Sequence, residues 1–174
     1  MPDLLTHVLA GYVLGSLIAI RYEWADSRHV TVVMIGAVLP DVKKIGLLVS
    51  DETVTAVTGL PWEWAALHTL GGSIVLIALG ALMVPPGYRV RVAALLAVGS
   101  GSHHVLDSLL ITWSGNTYAV FWPISGYQPP AAGLFRSSDR WPALVAITLA
   151  LALRRYRNAR GADQSSDSIT FNHR

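Results

Sequence analysis

The chain has no cysteine. Disulfides and thiolate metal sites are therefore excluded, and any metal must be held by nitrogen and oxygen. Charge is scarce as well: 14% of the residues are Asp, Glu, Lys or Arg, against about 25% in an ordinary soluble domain. No cationic residue precedes the first apolar run, which opens Met1-Pro2-Asp3-Leu4-Leu5-Thr6-His7. That run is expected to stay in the mature protein, because a signal peptide carries a positive n-region. A single basic patch is missing too. The pI of about 9.2 arises from short basic groups set between apolar runs, a distribution that fits membrane topology and argues against nucleic acid. What the chain has is hydrophobicity: 52% of its 174 residues are apolar or aromatic and the mean hydropathy is +0.46. These values point to a membrane bundle, with no internal repeat and no second, soluble domain.

A helix needs about 20 mostly apolar residues to cross a bilayer. Five stretches qualify or nearly do: 4–20, 30–49, 65–84, 90–112 and the shorter 141–156. The second is interrupted by Pro40, Asp41, Lys43 and Lys44. The fifth reaches the interface if its arginines snorkel, and a surface helix is its alternative. Pro85-Pro86-Gly87 breaks the chain between the third and fourth runs. Ser137-Ser138-Asp139 ahead of Trp141-Pro142 reads as a helix start. The fold class expected is all-α, a polytopic transmembrane bundle of about five helices over 1–160. Residues 161–174 read as a polar, disordered cytoplasmic tail.

With five spans, Arg21, Arg28, Arg89, Arg91, Arg154, Arg155, Arg157 and Arg160 fall on one side. The positive-inside rule makes that side cytoplasmic, so the N-terminus is expected outside and the C-terminus inside. Trp62, Trp64, Trp113, Trp122 and Trp141 then form an outer aromatic belt, and Trp24 lies at the inner interface.

Ionisable residues within spans are costly and need a reason. His7, Asp41, His68, His103, His104 and Asp107 come from four different runs, at similar depth near the outer face. His103 and Asp107 are four apart and share a helical face; His104 points roughly 100° away from His103 but, three residues from Asp107, could also meet it. His7, Asp41, His68, His103 and Asp107 suit a divalent ion with mixed N/O ligation, zinc first, manganese or iron as alternatives. Each residue also has a plainer reading. His7 and His68 would be wetted interfacial residues, Asp41 would fill a helix break, and His103 and Asp107 would staple two helices. The plainer reading is preferred for His104, and His29 and His173 carry no role. Gly11 and Gly15 form a small-xxx-small pattern, and Gly71, Gly72, Gly99 and Gly101 would admit close neighbours. Thr6, Thr69 and Ser102 adjoin candidate ligands. The aromatic segment from Tyr118 to Phe135 is either a lid over the site or an interfacial loop.

The ordered set His7, Leu39-Pro40-Asp41, His68-Thr69, Ser102-His103 to Asp107 and Trp122-Pro123 resembles the membrane-bound metal-dependent hydrolase family, which includes the YdjM-like inner-membrane proteins. The resemblance covers residues 1–123 and the closing helix in outline. It implies a metal-dependent hydrolase. The chain departs from the family at Lys43, where a second acid is common, and at Glu63, which takes the place of a first histidine if His68 matches the second.

The leading reading is a hydrolase acting at the outer leaflet on a lipid or lipid-linked phosphoester. In it the five His and Asp residues hold the metal, and Glu63, or Asp41 if it is not a ligand, serves as general base. An ion or small-solute transporter using the intramembrane His and Asp residues is the second reading. The third is a non-catalytic assembly protein with a structural metal. Membrane lipids are the partners expected in each.

Overall fold

The computed structural model describes residues 4–171, with side chains to residue 159. It is all-helical, and among the described residues it contains no β-strand beyond isolated bridges. Helix α1 spans Leu4–Arg21, α2 Ser27–Val38, α3 Asp51–Thr58, α4 Leu70–Leu82, α5 Arg89–Ser108 and α6 Trp141–Phe171.

The first apolar run becomes α1 almost residue for residue, and Arg21 places its charge at the negative end of the helix dipole. Asp26 starts α2 with a capping box. Its carboxylate accepts from the Arg28 and His29 amides at 2.9 and 3.3 Å, and His29 Nδ1 lies 2.8 Å from that carboxylate and 3.1 Å from the Asp26 amide nitrogen. The second run does not continue as one helix. Pro40 has no N–H to offer the Gly36 carbonyl, so Leu39 reaches back to Gly36 instead. The chain then tightens into a 3-10 helix over Leu39–Leu47. The third run is likewise split: a short 3-10 turn, Trp64–His68, leads to α4, whose first turn is capped by the Thr69 hydroxyl. The small helix α3 was not expected. It is only eight residues long and mostly polar, begins on the Ser50 hydroxyl and ends on Gly59 in the left-handed region at φ 71°.

Helix α2 sits between α1 and α5, with α6 along α1 and α4 against α5. Glycines set these spacings. A Cβ on Gly15 would lie 2.9 Å from the Val30 Cα, and one on Gly99 would lie 2.6 Å from the Ala37 nitrogen. Gly36 makes the reciprocal close approach to Leu96, whereas Gly101 faces open space. At its polar start, α6 has Pro142 in the first turn, while the Asp139 carboxylate accepts from the Arg136 amide at 2.8 Å in the turn before it. The α6 backbone runs on to Phe171, past residue 161 where a tail is expected. The side chains of 160–171 and all of 172–174 lie outside the described residues.

Polarity is turned inside out. The interior holds His7, Ser16, Ser73, Ser100, His103 and Asp107, while Leu47, Leu48, Met83, Val90, Trp113 and Ile124 stand almost fully exposed. Apolar exposure on this scale marks a surface made for a partner or for lipid. Among the described residues one helix, α1, is both long and apolar enough to cross a membrane, and α4 is apolar but only 13 residues long.

The ends of the bundle differ. At one, the Arg91 guanidinium lies 4.6 Å from the Trp24 ring centroid, and Arg157 hydrogen-bonds to Ser16 and Ser27. The buried histidines gather at the other, near the start of α1 and the finish of α5.

Candidate metal centre

Four segments bring the candidate ligands together. His7 comes from the first turn of α1, Asp41 from the 3-10 segment after α2, His68 from the turn before α4, and His103 with Asp107 from the last turns of α5. All five are at most 4% exposed. Two overlapping groups have one potential ligand atom per residue within 4.8 Å of one another: His7, His103 and Asp107, and Asp41, His68 and His103. His103 belongs to both.

The imidazoles are oriented by backbone carbonyls. His103 Nδ1 donates to the Ala37 carbonyl at 2.8 Å, and His68 Nδ1 donates to the Pro40 carbonyl at 3.0 Å. A carbonyl only accepts, so both protons are assigned to Nδ1 and both Nε2 atoms are left to bind something else. The Ala37 oxygen is one of the carbonyls left over where α2 ends. A histidine that donates one ring N–H to a carbonyl and turns the other nitrogen inward is the usual arrangement of a metal-bound imidazole.

The inward atoms are short of partners. Among the described residues, His7 Nδ1 and Nε2, His103 Nε2, Asp41 Oδ1 and Asp107 Oδ1 are buried with no hydrogen bond. His7 Nε2 and His103 Nε2 each lie 3.6 Å from an Asp107 oxygen, and the two rings stack at 3.8 Å between centroids. His68 Nε2 is 2.8 Å from Asp107 Oδ2. With its proton on Nδ1, a neutral His68 presents a lone pair to a carboxylate there. A cation, whether proton or metal, makes that contact attractive. Unpartnered buried polar atoms are rare and call for an explanation. The donor set of imidazole and carboxylate fits a divalent transition metal.

The remaining polar residues surround this core. Asp41 Oδ2 receives Lys44 Nζ at 2.7 Å. His104 stands apart from both groups. One ring nitrogen is 2.8 Å from Ser73 Oγ, the other 2.6 Å from the Tyr118 hydroxyl, and so its hydrogen bonding is complete. Burial, with the Asp107 and Asp41 charges nearby, holds the Tyr118 phenol above its ordinary value. Ser73 and Tyr118 were missed as partners of His104 because they lie 31 and 14 residues away in sequence.

Glu63 is exposed and outside the buried core. It lines a cleft of about 220 Å³ with Lys43, His68, Thr69, Tyr118 and Trp122. His68 thus touches both the buried core and the open cleft. Lys43 Nζ sits 5.9 Å from the Tyr118 ring centroid. The segment beginning at Tyr118 docks on the start of α4, where the Val120 and Trp122 carbonyls accept the Leu70 and Gly71 amides at 2.8 and 3.1 Å. These bonds use two of the donors that a helix start leaves over. The aromatic segment therefore walls the cleft beside His68.

The family model of the YdjM inner membrane protein matches residues 1–166. The chain belongs to that family, and its buried His and Asp groups are able to hold a metal ion. No curated protein and no solved structure matches it.

Proposed function

We propose that this member of the YdjM inner membrane protein family is a multi-pass, metal-dependent hydrolase acting on a lipid or lipid-linked phosphoester near the outer membrane face. One observation carries the reading. Three histidines and two aspartates from four segments converge, and four of the five turn inward a buried atom that has no hydrogen bond. His7, Asp41, His68, His103 and Asp107 would hold the ion, with zinc preferred and manganese or iron as alternatives. When bound, a divalent ion supplies Lewis-acid polarisation of the substrate and a more acidic water.

The chain's own residues do the rest. The Ala37 and Pro40 carbonyls fix the two imidazoles. Lys43 gives the cleft a positive charge for an anionic phosphoester. Glu63 at the same cleft accepts the proton of the attacking water, and Asp41, through its unpartnered Oδ1, is the other candidate base. The exposed apolar flanks keep the cleft at the depth of lipid headgroups. Five spans with the N-terminus outside place the arginine-rich end in the cytoplasm.

The test is metal analysis of the purified protein together with turnover on phosphoesters in mixed micelles. Near-stoichiometric transition metal is expected in the parent, with loss of both metal and turnover in His103→Ala and Asp107→Ala. Absence of transition metal from the parent, or full turnover in His68→Ala and Asp107→Ala, would sink the proposal.

The burial of all five residues favours a second reading, a closed structural metal site. In that case metal loss unfolds the bundle and no phosphoester is turned over. The placement of His68 in the wall of the open cleft favours the catalytic reading.

A further inference from the structure

A second cavity lies on the arginine-rich half of the bundle and shares no residue with the histidine cluster. It has a volume of about 380 Å³, and its walls include Tyr12, Val30, Thr31, Met34, Arg154 and Arg157. Among the described residues no acidic side chain lines it. The nearby Asp26 carboxylate is engaged with the Arg28 and His29 amides and the His29 ring. Arg157 is held in place: its two terminal nitrogens donate to Ser16 Oγ at 3.4 Å and Ser27 Oγ at 3.2 Å. Arg154, one turn earlier on α6, is exposed and makes no hydrogen bond or ion pair among the described residues.

Two guanidinium groups share the cavity without a carboxylate, beside hydroxyls from Thr31 and Tyr12. Guanidinium forks match the oxygens of a phosphate. The other wall is apolar, made by Val30 and Met34 on α2. A free phosphate has no use for that wall, whereas a phospholipid would lay its glycerol and first methylenes along it. Basic pockets between membrane helices commonly take anionic headgroups.

We propose that this cavity binds the phosphate group of an anionic phospholipid, with Arg154 and Arg157 as its cationic contacts. The site does not depend on the metal centre: it shares no residue with the ligand groups, and on α1 it is lined by Tyr12, midway along the helix. A lipid held there would bridge α6 to α2, two helices that otherwise meet chiefly through α1.

The experiment is native mass spectrometry of the full chain in detergent, titrated separately with phosphatidylglycerol, phosphatidylcholine and inorganic phosphate. Phosphatidylglycerol should bind at least about tenfold more tightly than phosphatidylcholine, and Arg154→Gln should lose roughly tenfold in that affinity. Arg21→Gln, at the same end but outside the cavity, should change nothing. Because Arg154 is exposed and has no partner among the described residues, its replacement leaves folding intact. Equal phosphatidylglycerol affinity in the parent and Arg154→Gln overturns the site. Inorganic phosphate binding as tightly as the lipid, and weakened by the same substitution, overturns the lipid assignment in favour of a soluble phosphate.

Discussion

Replacing Gly99 by alanine tests the link between helix packing and the metal centre without touching a ligand. A Cβ at 99 would meet the Val33 carbonyl oxygen and lie 2.6 Å from the Ala37 nitrogen, where ordinary contact begins near 3.4 Å. Its neighbours are all backbone, so no side chain can swing away. The Ala37 contact alone requires helices α2 and α5 to part by roughly 0.8 Å, and the nearer Val33 oxygen requires more, an overpacking that costs about 1–3 kcal/mol. The larger effect is expected one turn further along α5. There His103 Nδ1 donates to the Ala37 carbonyl at 2.8 Å. Widening that gap by a similar amount takes it beyond hydrogen-bonding range. Losing such an orienting bond lowers metal affinity by about 10–100-fold. The assay is unfolding and metal titration of the detergent-solubilised protein, with Gly101→Ala as the control because a Cβ there meets nothing within 4 Å. Equal stability and equal metal affinity in the two variants would refute both the close approach and its coupling to the site.

Three further outcomes can be checked. Thr69→Ala removes the hydroxyl that accepts the Gly72 amide and donates to the Ala66 carbonyl. It should cost about 1 kcal/mol in denaturant unfolding, and an unchanged midpoint would deny the cap. Tyr118→Phe leaves one buried nitrogen of His104 without its partner. It should cost about 1–3 kcal/mol while leaving metal content intact, since neither residue belongs to the ligand groups; loss of metal would place His104 among them. Hydrogen bonding to His29 holds the Asp26 carboxylate below its ordinary value of 3.8. A depressed carboxylate stabilises above the unfolded value and loses that contribution as pH falls through the folded one. The melting temperature of the parent should therefore exceed that of Asp26→Ala at neutral pH, with the gap closing on acidification below 3.8. A gap that persists in acid would mean the carboxylate's charge is not what caps α2.

Much of the bundle was legible because membrane-type helices announce themselves by composition. The run 4–20 differs from α1 by one residue, and the punctuation at Pro85-Pro86-Gly87 falls between α4 and α5. The pairing of His103 with Asp107 follows from helical spacing alone, but the separation of His104 does not, because residues 104 and 107 are three apart and spacing lets them meet as well. Pro40 signalled a break, but not the nine-residue 3-10 segment that turns Asp41 toward His68. That turn depends on where the leftover carbonyls find donors, and those donors lie 28 and 66 residues away. Glu63 was legible only by position relative to a family pattern. Its exposure at a cleft, away from the buried core, comes from its tertiary placement beside Lys43, His68 and Tyr118, which local sequence does not encode. The role of Lys43 was equally hidden: as a sequence feature it reads as a missing acid, whereas in space it is the cation of the cleft beside His68.

The break after α2 has a consequence for how such a site tolerates change. Two of its three inward imidazoles take their tautomer from main-chain oxygens at positions 37 and 40, not from side chains. Main-chain oxygens survive most substitutions, so half-buried Val38 can change without disturbing the centre as long as the helix still stops there, whereas fully buried Ala37 has no room for a larger side chain. The vulnerable position is Pro40, whose ring makes no hydrogen bond although its carbonyl holds His68. A residue with an N–H at that place could reclaim the Gly36 carbonyl and draw the chain back toward an unbroken helix. His68 and His103 would then lose their bearings together, and an intact set of ligands would no longer amount to a site.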